Sequence, residues 1–387
     1  MKTPYEWRID FYSAGAWRTL ANIQSVSIFR GRRLQIDDYN SDTLNVECRN
    51  PSGWTYTPKL GDKIVAYVYR PGVVVGVDKY PGFIGTIRDV DINYGKIASL
   101  DTVTISGEGI QADWGRAQLN SLVLTQEKTD EQILDAATAA GLGISQFGAM
   151  STASAQTYTG NALELVNALV RTEEARIYAY PYQYSITWPG TWLLYYRGRG
   201  SNIDLNTKWL FNDGTVTANT YDNKYDNIVF RSSADNYYNQ VTIQPEFVAA
   251  QTATLSTTPI FSWAKTTVDF STAQALSHAQ WLLNNFQTKD STVAAISFTE
   301  MEQNDKLPDP FTTENPQPLL MITEAISAGV TIGFRSNTYN CVCEGIAITG
   351  TPEQTRITLY LSGQDTNAYL VLNDAIYGKL NSNKLGF

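Results

Sequence analysis

The chain has 387 residues, room for about two to four domains of ordinary size. Hydrophobic residues are 43% and charged residues only 17%, which excludes a disordered chain and a long coiled coil. The net charge is −9, of which residues 206–387 carry −7 and residues 1–115 none, so the basic face of a nucleic-acid reader is not expected.

Residues 1–115 read as strands. Glu6–Tyr12, Ser25–Phe29 and Thr43–Cys48 alternate apolar and polar residues, and Asn50-Pro51-Ser52-Gly53 makes a turn. Asp62–Tyr69, Gly82–Ile87 and Asp101–Ser106 complete the set. Short runs between Gly, Pro and Asn turns predict a barrel or sandwich.

The period then changes. Thr129 followed by Gln132 has capping-box form, Ile133, Leu134, Ala137 and Ala140 repeat at helical spacing, and Gly141 stops the helix. A second helix is expected from Asn161, with Leu163, Val166, Leu169 and Val170 on its apolar face. A hairpin follows over Arg176–Tyr184 and Gly190–Arg197, crowded with Tyr178, Tyr180, Tyr182, Tyr184, Trp188, Trp192, Tyr195 and Tyr196. Those rings would form either a stacking platform for sugar or a strand face packed on the helices or a neighbouring chain. Packing is the commoner use of strand aromatics. Strands resume after residue 206, interrupted by a helix over about Thr272–Phe286 that Ser271 and Gln274 open. Leu307–Pro318 holds four prolines and reads as a loop.

Enzyme chemistry finds little to work with. The single His278 lies in a stretch of helical period, where a structural histidine is far commoner than a base. No phosphate loop of GxxxxGK[ST] type and no HExxH occurs. The carboxylate pairs Asp37-Asp38 and Glu173-Glu174 are neighbours in sequence, which does not predict the cleft geometry of a glycosidase. Cys48, Cys341 and Cys343 are too few for a disulfide framework. Cys341 and Cys343 share a strand face, and burial as small hydrophobes is expected over half a zinc site. No catalytic, cofactor-binding or metal-ligating residue is therefore assigned, and no cofactor is expected. The start MKTPYEWRIDFY lacks the apolar run of a signal peptide. No run of about 18 apolar residues predicts a membrane span.

Weak internal echoes recur in order. Gly61–Arg70 is similar to Gly329–Arg335, Gly85-Thr86-Ile87 to Gly345–Ile348, and Thr102–Gly107 to Thr358–Gly363. Phe29-Arg30, Tyr39-Asn40 and Val46 echo Phe230-Arg231, Tyr238-Asn239 and Val241. This order suggests a duplicated barrel with the helical parts inserted.

Several segments together resemble the minor tail proteins of long-tailed bacteriophages that form the tail-tip or baseplate hub. They are Arg30-Gly31-Arg32-Arg33 after a strand, Leu44–Asn50, Tyr56–Asp62 with its P-x-L-x-G-D order, Phe83–Val90, Asn161–Glu173, Ala175–Ala179, and the end from Tyr377 to Phe387. The aromatic hairpin departs from the family, which more often has a short glycine turn there.

The resemblance implies a mainly β fold with α+β insertions: two tail-tube-like β-barrels plus helix-containing accessory domains. The first barrel hub domain would span 1–115. An α+β accessory domain with two helices and the aromatic hairpin would span 116–205. The second barrel would take 206–255 and 325–365, with a helix-containing insertion at 256–324 and a C-terminal tail at 366–387. It also implies a homotrimer whose ring closes the tail tube and organises the tape-measure protein, a distal tail or tail-tube protein, and tail-fibre or receptor-binding proteins. DNA would pass through the lumen without specific binding, and an acidic lumen would keep it from sticking. The protein would be assembled in the host cytoplasm, reside at the tail tip of the virion, and carry out no bond chemistry. The basic run Arg30, Arg32, Arg33 would either pair with acids of a neighbouring subunit or form a solvated turn. The alternative function is a glycan-binding or glycan-cleaving tail protein using residues 178–196, with Glu173, Glu174 and Asp204 as the nearest carboxylates.

Overall fold

The computed structural model describes residues 6–34, 37–49, 57–69, 79–97, 100–179, 193–198, 209–213, 215, 224–231, 238–255, 258–286, 292–300, 320–324, 326–352 and 354–363. The chain is mainly β. Its first part gives seven strands: β1 (Glu6–Ser13), β2 (Ala16–Thr19), β3 (Ile23–Gly31), β4 (Thr43–Arg49), β5 (Lys63–Tyr69), β6 (Lys79–Asn93) and β7 (Thr102–Glu108). β4 alternates strictly, burying Leu44, Val46 and Cys48 and exposing the residues between. β5 instead buries every residue from Ile64 to Val68. Ile64, Ala66 and Val68 enter the core of the large sheet, while Val65 and Tyr67 join the core under the helices. A continuous apolar run fits a strand covered on both faces.

Next come α1 (Ile110–Arg116), β8 (Gln118–Leu124), β9 (Glu127–Lys128), α2 (Thr129–Ala140), β10 (Gly143–Phe147), β11 (Thr152–Ala153), β12 (Gln156–Asn161), α3 (Ala162–Glu173), β13 (Arg176–Ala179) and β14 (Leu193–Arg197). The caps follow the sequence closely at α3, where Asn161 Oδ1 accepts the Glu164 amide at 2.8 Å. At α2 the box sits one residue earlier than Thr129 and Gln132 suggest. Glu131 accepts the Lys128 amide, while the Thr129 hydroxyl meets Tyr196 and Gln132 donates to the carbonyls of Thr125 and Ser154. The left-handed Gly141 ends α2 as expected. The hairpin base is present, with β13 and β14 antiparallel and Tyr178 opposite Tyr195. Residues 180–192 lie outside the described residues.

The last part contains β15 (Trp209–Asn212), β16 (Asn227–Arg231), β17 (Gln240–Pro245), β18 (Gln251–Thr254), β19 (Ser262–Thr267), α4 (Thr272–Phe286), β20 (Thr292–Glu300), α5 (Leu320–Glu324), β21 (Gly329–Phe334), β22 (Asn337–Gly350) and β23 (Thr355–Gly363). Ser271 Oγ accepts the Gln274 amide at the start of α4, as the sequence predicts. β17, β18 and β19 form a small sheet of their own, packed on α4 through Val241, Ile243, Ala275, Ala279 and Leu282.

A 13-stranded sheet runs β16-β20-β23-β22-β3-β4-β7-β6-β5-β1-β2, with β15 and β21 joined to β22. The order β3-β4-β7-β6-β5 in the first half matches β16-β20-β23-β22-β21 in the second, strand for strand and antiparallel throughout. The sequence echoes thus find the right strands at β5/β21, β6/β22, β7/β23 and β3/β16. At β5/β21, β7/β23 and β6/β22 their residue register differs, because alternation lets two strands match at shifts of two or four. Val241 lies on β17, outside the large sheet, and β20 takes the place that corresponds to β4. Among the described residues neither half closes into a barrel of its own. The halves join instead edge to edge through β3 and β22, over one core that holds Ile28, Leu44 and Ile105 together with Ile296, Ile346 and Leu359.

At that join Gly31 stands opposite Gly345. Gly31 has φ +79°, and a Cβ there would lie 2.4 Å from the Glu344 carbonyl oxygen. A Cβ on Gly345 would lie 2.3 Å from the Arg32 carbonyl oxygen. Gly15 has nearly the same φ, +78°, in open space. Gly15→Ala is therefore predicted to cost about 1 kcal/mol, the conformational term alone. Gly31→Ala adds the backbone collision and is predicted to cost at least about 3 kcal/mol, read as a lower urea midpoint.

Candidate functional site

The Arg30–Arg33 run leads directly out of β3 into this join. Arg30 and Arg32 are buried, and neither expectation for them holds: their partners are acids and carbonyls of the same chain. Arg32 Nε donates to Glu344 at 2.9 Å, and Arg176 donates to the other carboxylate oxygen at 2.7 Å. Ser362 adds a third hydrogen bond at 2.6 Å. The Arg32 guanidinium also lies over the Tyr39 ring at 4.7 Å. Arg30 donates to the carbonyls of Ile322 and Ala179 at 2.7 and 2.8 Å and lies 3.9 Å from Asp42. Asp42 in turn accepts the Gly31 amide at 3.1 Å. Only Arg33 reaches the surface, over Phe29 and Tyr360.

Glu344 owes its position to a bulge: β22 shifts register against β23 between Cys343 and Gly345. A bulge re-aims one side chain, and here it turns a carboxylate inward from an apolar strand. Burial pushes the Glu344 carboxyl up, but Arg176 and Arg32 pull it down further, to about 2. Asp42 ends above the ordinary carboxylate range, because burial outweighs Arg30 and its hydrogen bonds.

A second buried cluster ties α3 to β19 and α4. Glu174, left-handed at φ 54°, ends α3 and pairs with Lys265 and with His278 Nε2. Asp269 sits 3.4 Å from His278 Nδ1 and accepts from Thr267 at 2.6 Å and from Gln274 at 2.5 Å. Burial disfavours charge on His278, but Asp269 and Glu174 more than offset it and hold its pKa above the ordinary value. Burial lowers Lys265 despite Glu174, and Glu174 itself falls to about 2, burial being outweighed by Lys265 and His278.

These placements decide what the candidate residues do. Both ring nitrogens of His278 face carboxylates, so the ring is a clamp within the fold. Glu173 accepts the amides of Met150 and Ser151 at 3.1 and 2.6 Å. Asp38 pairs with Arg171, and Asp37 accepts the Leu34 amide. Asp204 lies outside the described residues. Tyr178 stacks on Tyr195 at 5.8 Å; Tyr178 belongs to the large core and the half-buried Tyr195 packs against it, while Tyr196 belongs to the helical core. Cys48, Cys341 and Cys343 are buried in the large core, and burial raises Cys48 and Cys341 to about 12. Among the described residues no cluster of three or more His, Cys, Asp or Glu has the arrangement of a metal site. No helix among them is long and apolar enough to cross a membrane.

Sequence reasoning missed Glu344, Arg176, Asp42, Lys265 and Asp269. Glu344 alone left a signal: one carboxylate before a glycine in the apolar run Val342-Cys343-Glu344-Gly345-Ile346.

No protein-family model matches the chain, and no curated protein matches it in sequence. Solved structures do match along its length. The 43 kDa tail protein of prophage MuSo2 from Shewanella oneidensis is 13% identical, with a TM-score of 0.57, covering 92% of this chain and 98% of that one. The tail protein from Neisseria meningitidis MC58 is 11% identical, with a TM-score of 0.61, covering 93% of this chain and 97% of that one. The chain thus has the fold of phage tail proteins over nearly its whole length, and the resemblance drawn from its sequence holds at the level of the fold.

The carboxylates set the pH response. Glu344 and Glu174 have folded pKa values near 2 against an ordinary 4.5. The stability they add is full above pH 4.5 and is lost as pH falls toward 2, about 3 kcal/mol for each such shift. His278 has the opposite sign: its contribution is full below 6.5 and is lost as pH rises through its raised value. Glu344→Gln is predicted to cost about 3–5 kcal/mol at pH 7, because it strands the buried Arg32 and the half-buried Arg176, and to flatten the acid limb of the thermal-melt profile. All three thiols are predicted to react with a thiol reagent only at the rate of unfolding; fast labelling of the folded chain would contradict their burial.

Proposed function

We propose that the chain is a structural protein of a bacteriophage tail, and more specifically the hub at the tail tip or baseplate. In this reading it assembles as a homotrimeric ring that closes the tail tube. It docks a distal tail or tail-tube protein, the tape-measure protein and tail-fibre or receptor-binding proteins, and it lets DNA pass on infection. It belongs at the tail tip of the virion and performs no bond chemistry.

The observation that carries the reading is the extent of the fold match: 92–93% of this chain and 97–98% of two phage tail proteins. The repeated five-strand order supports it, since three chains would present six equivalent units. Each half then acts as a tail-tube-like unit completed by its neighbours. In this reading the first hub unit spans 1–115 and the accessory domain 116–205. In the second half β20 belongs with the hub strands, and β17–β19 with α4 form the insertion.

The glycan-cleaving alternative is weakened by the same geometry. Glu173 and Glu174 are committed to backbone amides and to a buried ion cluster, and the rings at the hairpin base pack inward. The structural role is tested by native mass across a concentration series. It predicts a species near 129 kDa, three times 43.0 kDa. A strict 43.0 kDa species at every concentration would contradict it.

A further inference from the structure

The contact between β3 and β22 has a counterpart that one chain leaves unmade. β6 shifts register against β7 between Ile87 and Asp89, and β22 shifts against β23 between Cys343 and Gly345. Counted from these bulges, Val90, Ile105, Val46 and Val26 form one row across the first half. Ile346, Leu359, Ile296 and Ile228 form the same row across the second. β16 therefore stands where β3 stands, and residues 89–93 of β6 stand where 345–349 of β22 stand.

The edges differ in one respect. β3 pairs its outer edge with residues 345–350 of β22. β16 ends the sheet, so its outer edge carries no strand among the described residues. β6 pairs with β5 as far as Thr86, and Ile87 still bonds Asp62 and Gly61; beyond Ile87 its β5-side edge also carries no strand among the described residues. An open edge of backbone donors and acceptors is a template for another strand.

Resting on the trimeric reading above, we infer that β16 of one copy adds antiparallel to residues 89–93 of β6 and the following Tyr94 in the next copy, repeating the β3–β22 contact between chains. β16 shifts against β20 between Val229 and Phe230, but the extra residue, Ala294, lies on β20, so the register transfers residue by residue when counted along β16. Ile28 opposite Ile348 becomes Phe230 opposite Ile92, and Val26 opposite Gly350 becomes Ile228 opposite Tyr94. Phe29 opposite Ala347 becomes Arg231 opposite Asp91. The chemistry agrees at each place. Phe230, Ile228 and Val90 border the large core, so the pairing extends that core across the interface. Ile92 on β6 is 37% exposed in the single chain, and Tyr94 just past its end is 80% exposed. Arg231 and Asp91 are both exposed and of opposite charge. The two surfaces are different patches of the chain, so the contact is head-to-tail and generates a ring when its rotation closes.

The test uses the full-length chain with Arg231→Cys and Asp91→Cys together. Directly opposed residues of an antiparallel pair bring their Cβ atoms within about 4.5–5.5 Å, so mild oxidation links neighbouring chains. The buried native thiols do not take part. Non-reducing denaturing gels are expected to show two- and three-chain species for the double variant and neither for each single variant. Arg231→Glu is expected to raise the concentration for half-dissociation about tenfold or more, with Asp91→Arg restoring it. A three-chain native mass without cross-links or charge-swap rescue overturns the strand pairing and leaves the trimer standing. A single-chain mass at all concentrations without cross-links overturns both.

Discussion

One carboxylate holds the molecule's parts in place. Glu344 meets Arg32 from the first half of the sheet and Arg176 from the helical layer, while its own strand belongs to the second half. Taking such charges out of water is costly, and the pairing recovers that cost only with good geometry and full hydrogen bonding. Both oxygens of Glu344 are engaged, and Arg32 also lies over Tyr39 and donates to the Asp37 carbonyl. A hydrophobic replacement of equal volume would tolerate several arrangements of three layers. A carboxylate between two forked cations tolerates few. Gly31 and Gly345 enforce the same arrangement sterically, because the two strands approach too closely for a Cβ on either.

The repeat shows what a sequence reveals and what it conceals. Strand identity was legible: β4 and β7 alternate, β5 runs apolar, and Asn161 and Ser271 mark helix starts that the structure confirms. Strand register was not, since a period of two looks alike after every even shift. The bulges that fix it, at Ile87/Asp89 and Cys343/Gly345, carry only a faint sequence mark. The buried ion clusters were concealed for another reason. Arg30 and Arg32 read as a basic surface turn because their acids lie more than three hundred residues away at Glu344, or were ordinary-looking at Asp42. His278 was placed correctly on a helix, but nothing local announces Glu174 and Asp269 on its two sides. Long-range pairing leaves no period to read.

Burial also leaves His278 and Glu174 poorly placed for acid–base chemistry. A catalytic carboxylate or imidazole needs access and a pKa near its working pH. Glu174, Glu344 and His278 are buried and locked by opposite charges, which moves the acids far below neutrality. Their role is to fix helix, insertion and sheet against one another. Rigidity of that kind suits a subunit whose proposed task is to present sheet edges at fixed angles to its neighbours.

In the proposed trimer the duplicated halves are successive units of a closed ring. End-on electron cryomicroscopy of the purified protein tests it most directly. The expected image is a three-fold ring in which six similar sheet units surround one lumen, with chain-to-chain junctions resembling the β3–β22 junction. A two-fold dimer, or three chains touching through the helical layers with β16 left exposed, would contradict it.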